Sequence, residues 1–167
     1  EAGVARGTFY NYFEGKREAF RAVLDAVMDR VVQGVTPISL EAPVPPQLQE
    51  NLRRLLEVLD EDTCRLLFAE APGLDAEGQA ALLDFYSNAT ARIVRALRTG
   101  QAIGLVRAGP VEPLAWCLLG ALKEPVFQAW LSGQPVDQAA LIDALLLLFS
   151  SGILSSAGPE TAPGAFF

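Results

Sequence analysis

Apolar residues return along this chain at helical spacing almost from end to end. Phe20, Val23, Leu24, Val27 and Val31 fall at i, i+3, i+4, i+7 and i+11, which predicts an amphipathic helix opening near Lys16 and fading at Gly34. Leu48, Leu52, Leu55, Leu56 and Leu59 make a second stripe. Between the two lies TPISLEAPVPP, Thr36 to Pro46, whose four prolines in eleven residues are expected to exclude a helix and mark a connector. A short helix is predicted over about Thr63 to Ala71, with Asp62 or Thr63 as cap and Pro72–Gly73 as the stop. Asp75 can cap a long helix carrying Leu82, Leu83, Tyr86, Ile93, Val94 and Leu97 and ending near Gly100 or Gly104. After RAGPVEP a further helix covers about Val111 to Leu131, with Pro125 expected to kink it. The last begins behind Asp137 and runs to about Ser155, and the tail SAGPETAPGAFF has loop composition. No run alternates strictly as a half-buried strand would, and no internal repeat is visible. The pattern is that of an all-α protein.

Composition narrows the chemistry. The 167 residues are 51% hydrophobic and 20% charged, a globular and rather oily balance that points to an interior pocket or a buried subunit interface. There is no histidine, which removes the commonest general base and metal ligand together. Cys64 and Cys117 lack any CxxC spacing; buried free thiols in a reducing cytoplasm are expected, with a disulfide between them as the alternative. With no nucleophile-elbow or phosphate-loop motif either, the chain reads as no enzyme and implies no cofactor and no metal. Ala144 to Leu154 is the most apolar stretch and is too short to span a bilayer.

Charge is distributed unevenly. Residues 1–34 carry five basic and five acidic side chains, which leaves the whole net charge of −7 in residues 35–167. An acidic body argues against nonspecific nucleic-acid binding but not against a local basic patch at the N-terminal end. For a ligand, the acidic balance points to a neutral or cationic lipophile.

The N-terminal stretch EAGVARGTFYNYFEGKREAF has the punctuation of a helix–turn–helix: a helix end, a turn at Gly3, an apolar plug at Val4, and a second helix. In such a motif the second helix enters the major groove. Arg6 could contact guanine, Gly7 would let the backbone approach, and the Thr8 methyl could meet thymine. Tyr10 and Tyr12 could donate to phosphates, with Lys16 adding charge at the next helix start. Phe9 and Phe13, four apart on one face, read as core.

The segment EAGVARGTFYNYFEGKREAFRAVLD resembles the helix–turn–helix signature of the TetR family of transcriptional regulators, with its Ala-Gly-Val turn, Gly-Thr pair, Tyr, Phe and Lys. Ala5 stands where the family often has a capping Ser or Thr, a loss of about 1 kcal/mol of helix-start stability. By that resemblance Arg6, Gly7, Thr8, Tyr10, Asn11, Tyr12 and Lys16 match positions that touch DNA. The family's first helix and most of its second would precede Glu1, so the head is expected to be incomplete here.

The resemblance implies a layout: residues 1–34 as the end of the DNA-binding head and its connecting helix, 35–156 as a helical ligand-binding and dimerisation domain, and 157–167 as a flexible tail. It implies a cytoplasmic bacterial repressor that binds operator DNA as a homodimer and is released by a small, mostly apolar effector. The alternative is a helical small-molecule-binding or scaffold protein without DNA binding. The closing helix is apolar on nearly all sides, which makes Leu141, Leu145, Leu148, Phe149 and Gly152 the dimer-interface candidates, with Trp116, Phe127 and Trp130 from the helix before; a buried central helix of a monomer is the alternative. Polar or aromatic residues near the apolar stripes are the ligand-binding candidates: Cys64, Phe68, Phe85, Tyr86, Asn88, Trp116, Cys117 and Phe127. Core packing is the alternative role for each. Lys123–Glu124, inside an apolar helix just before Pro125, reads as a surface pair or an anchor at a kink.

Overall fold

The computed structural model describes residues 16–70 and 73–153. Among them every regular element is a helix, as the hydrophobic pattern predicts. Helix α1 spans Lys16–Gly34 and α2 spans Val44–Val58. Helix α3, Glu61–Cys64, continues as a π-helical segment over Arg65–Glu70. Helix α4 is Ala76–Ala102, α5 is Val111–Ser132, and α6 is Gln138–Leu148 with a π-helical turn over Phe149–Ile153. Among the described residues no helix is long and apolar enough to cross a membrane.

Helix α1 packs against α2 and α4. Only the positions on that line are covered: Phe20, Leu24 and Val27 are buried, whereas Val23 is 44% exposed. The proline-rich connector is shorter than its composition suggests, because α2 starts inside it with Pro45 and Pro46 in its first turn. First-turn N–H groups have no intrahelical partner, so prolines there forfeit nothing. Buried Asn51 pins the chain leaving α1: its Oδ1 accepts from the Thr36 N–H at 2.9 Å and its Nδ2 donates to the Thr36 carbonyl at 2.8 Å.

Asp60 caps α3, in place of the expected Asp62 or Thr63. Its Oδ1 accepts from the Thr63 N–H at 2.9 Å, and its Oδ2 accepts from Arg30 of α1 at 3.0 Å. Burial opposes the ionised carboxyl, but the Thr63 donors and the Arg30 guanidinium outweigh it and hold the pKa below the ordinary 3.8. A depressed folded pKa means the contribution is complete above the unfolded value and is lost as pH falls through the folded one. Asp60→Asn is therefore expected to flatten the loss of stability that wild type shows below about pH 4, and to change stability at pH 7 by no more than about 1 kcal/mol because the pair is half exposed. Urea midpoints taken from pH 7 down to about pH 2 would check both; an acid limb as steep as wild type's would rule this carboxyl out.

Asp75 caps α4 as expected, accepting from the Gly78 N–H at 3.0 Å, and Asp137 caps α6, accepting from the Ala140 N–H at 3.0 Å. Helix α4 ends between the two expected glycines. Gly104 takes φ +74°, a conformation that favours glycine. Gly100 lies so close to the returning chain that a Cβ there would sit 2.5 Å from Val106 Cγ2. The turn folds back tightly enough for Arg107 N–H to donate to the Ile153 carbonyl at 2.9 Å.

The core is divided into three clusters. Leu52 and Leu56 of α2, Cys64 of α3, Val126 of α5, and Ile142 and Leu145 of α6 form one. Phe20 and Leu24 of α1 meet Leu67 and Ala81 in the second, and Leu97, Val111 and Ala115 make the third where α4 turns into α5. Leu145, expected at a subunit interface, is 2% exposed within the single chain and is core. Helix α6 packs against α2 on that side, which draws Leu145 inward. Leu141 and Phe149 are half-buried against the same cluster. Leu148, at 56%, and Gly152 remain outside.

Candidate ligand groove

Helices α4 and α5 run antiparallel, joined by the tight turn at 103–110 and clasped near it by the exposed Arg98–Glu112 ion pair. Both carry small residues where they face one another across their outer surface: Thr90 and Ala91 on α4, Gly120 on α5. A glycine inside a helix costs roughly 1 kcal/mol relative to alanine. Nothing lies within 4 Å of where a Cβ at Gly120 would be, so no packing contact within the chain requires the glycine; its effect is to leave space. The result is an open groove of about 1070 Å³, a size at the upper end for small-molecule sites.

Its walls combine apolar and charged groups. Leu83 and Trp116 line it while 70% and 64% exposed, and Tyr86, Val94 and Leu119 add apolar surface. Burial in this wall raises the Tyr86 pKa above 10.0, so its phenol stays protonated. The charged side chains in the lining are Arg95, Arg98, Lys123 and Glu112, three cations and one carboxylate. The charge of the groove is thus opposite to that of the chain as a whole. Lys123 forms the expected surface pair with Glu124 and also leans over an aromatic cluster. Its ammonium lies 5.8 Å from the Phe68 ring centre and 5.5 Å from that of Phe127, with Glu124 at 3.9 Å. Behind it Phe68, Phe127 and Trp130 stack and tilt at 5.0 to 6.2 Å between ring centres.

Of the residues expected in a ligand site, Tyr86 and Trp116 line this groove. Phe68 and Phe127 stand one layer behind it, through Lys123, and Trp130 belongs to that ring cluster. Phe85 faces away from the groove towards the α1 cluster while touching Tyr86 at 5.5 Å. Cys64 is core, its thiol 3.5 Å from the Leu59 carbonyl and its pKa raised by burial. Asn88 and Cys117 are exposed outside the groove lining, Cys117 against the expectation of a buried thiol; both cysteines are free. Arg95, Thr90 and Gly120 also line the groove, outside the residues expected there. A glycine between two leucine-rich turns of α5 was the available signal. Arg6, Gly7, Thr8, Tyr10, Asn11 and Tyr12 lie outside the described residues; Lys16 opens α1, with its side chain outside them. No group of three or more metal-ligating side chains occurs among the described residues.

The arrangement of helices is that of TetR-family transcriptional regulators. A Syntrophomonas wolfei protein designated a TetR-family transcriptional regulator superposes with a TM-score of 0.69 at 20% identity, over 89% of this chain and 77% of its own. A Clostridium perfringens protein designated a regulator of fatty acid metabolism gives 0.73 at 22% identity, over 93% and 85%. A Saccharomonospora viridis protein designated a transcriptional regulator, solved in complex with choline, gives 0.67 at 19%, over 93% and 83%. No family model matches the sequence, and no curated protein does. The likeness is one of fold.

Proposed function

We propose that this chain is a TetR-type regulator: a cytoplasmic bacterial repressor that binds operator DNA as a homodimer and leaves it when a small, mostly apolar effector binds. The observation that carries the reading is the agreement of two features. The helix–turn–helix signature at residues 1–25 stands in a chain whose fold is shared, over about nine-tenths of its length, with transcriptional regulators. In this reading Arg6, Gly7, Thr8, Tyr10, Asn11, Tyr12 and Lys16 meet DNA, and exposed Leu148 and Gly152 of α6 meet the second copy. Helix α1 is the lever between body and head. Tyr86 in the groove touches Phe85, and Phe85 packs on the cluster that holds Phe20 and Leu24 of α1. An effector that prefers one setting of that contact shifts the population of dimers whose heads match two half-sites.

Fluorescence anisotropy of the full-length protein on the DNA upstream of its own gene, across a salt series, tests this. Saturable binding should weaken with salt. Arg6→Ala should cost about 1–3 kcal/mol, and Lys16→Ala should lower the salt slope by about one. Selection from random duplexes follows if the upstream DNA is not bound. Binding no tighter than to random DNA in both experiments would leave a helical small-molecule binder without DNA function.

A further inference from the structure

We infer that the groove between α4 and α5 takes a monoanionic amphiphile, its carboxylate held by Arg95 and its apolar body laid along the lane that Gly120 leaves open. The inference rests on the reading of this groove as the effector site, and deepens it by assigning the ligand a charge.

The charges lining the groove are not equally available. Arg98 is spent on Glu112, and Lys123 is held over two aromatic rings with Glu124 beside it. Arg95 has neither an ion-pair nor a hydrogen-bond partner among the described residues. A guanidinium presents a planar fork that a carboxylate matches with two parallel hydrogen bonds, and an adjoining indole face adds apolar contact. Counting back from the Arg98–Glu112 pair, antiparallel helices bring Arg95 level with Trp116, so both features stand at one end of the groove. A cationic amphiphile would find the opposite. The ring cluster that could cradle its ammonium is already capped by the protein's own Lys123, and the lining's one carboxylate, Glu112, is paired.

Shape sets the rest. From Arg95 to Leu83 is twelve residues of α4, a run of about 18 Å at the helical rise. Along it the wall passes Val94, Ala91, Thr90 and Tyr86, with Leu119 and Gly120 opposite. That is room for an extended alkyl chain.

Calorimetric titration of the full-length protein at pH 8 with octanoate, octanol and octyltrimethylammonium tests this. The three probes share a tail and differ in charge. Octanoate should bind with one site per chain and at least about tenfold more tightly than the other two, the worth of one charge-assisted contact. Arg95→Ala should remove most of that preference. Gly120→Leu should abolish binding while preserving the helical circular dichroism, since its new side chain starts in empty space. Equal or tighter binding of octanol or octyltrimethylammonium would overturn the assignment, and so would octanoate binding that neither substitution alters. Should Gly120→Leu instead dissociate the oligomer in sedimentation and leave octanoate binding intact, the groove is a contact for a second copy and the assignment falls. DNA binding by the same samples separates the two readings. Octanoate held through Arg95 in a protein that binds no DNA keeps the groove and sinks only the regulator; DNA binding without octanoate affinity does the reverse.

Discussion

Replacing Leu145 by alanine is expected to lower stability by about 3–4 kcal/mol, the range for truncating a leucine where the surroundings relax only partly. Leu145 is the largest of the fully buried side chains, at 2% exposure, and three other helices close over it. Leu52 and Leu56 come from α2, Cys64 from α3 and Val126 from α5. A void left there would be lined by these helices. For a chain of this size the loss corresponds to a fall in melting temperature of roughly 6–15 °C, compared at equal protein concentration because the proposed assembly would also raise it. Leu148→Ala is the control. At 56% exposure Leu148 belongs to the outer face, so its truncation should weaken the proposed self-association and leave the unfolding free energy of the dissociated chain within about 0.5 kcal/mol. If Leu145→Ala dissociates the protein but leaves the isolated chain as stable as before, Leu145 is an interface residue and its burial within one chain is misleading.

The contrast between these neighbouring leucines shows what the sequence could disclose. Helix α6 reads LIDALLLLF, apolar on nearly every side. Periodicity then carries no phase, because a helix without a polar face does not say which side is inward. Leu145 and Leu148 were accordingly indistinguishable, and only the packing of α6 on α2 separates them. Where polar residues interrupt the stripe, phase was readable: Phe20, Leu24 and Val27 on α1 and Leu52 and Leu56 on α2 were found as core. Helix ends were legible wherever a side chain sets them, as at Asp75 and Asp137. The π-helical segment Arg65–Glu70 left no trace, since widening a helix by one residue per turn needs no special residue type. The groove was half legible. Aromatic residues announced Tyr86 and Trp116, but Arg95 and Thr90 are ordinary residues of a solvated face until α5 is laid beside them.

Phe68→Ala is expected to cost about 2–3 kcal/mol, less than a fully buried phenylalanine because the residue is only partly buried. Its consequence is wider than that figure. Phe68 sits in the π-helical segment and packs against both the α2–α6 cluster and the α1–α4 cluster, so it joins two parts of the core that otherwise share few side chains. It also bears the Phe127 ring at 5.0 Å and half of the seat for the Lys123 ammonium. Removing the ring should therefore free Lys123 into the groove and loosen α3 against α1 at the same time. The first effect is measurable as a gain in octanoate affinity of about tenfold or less, one added cation in reach of the same carboxylate. The second should appear as faster amide exchange at Phe20 to Val27 of α1, while exchange at the third cluster around Leu97 and Ala115 stays as in wild type. Phe68→Leu keeps the apolar volume but not the ring face. It should restore most of the stability and the slow exchange in α1, and leave Lys123 as free as in the alanine variant. An α1 whose exchange does not change in Phe68→Ala would mean that α1 is held by α2 and α4 alone. The route from groove to head would then run only through Phe85 and Tyr86.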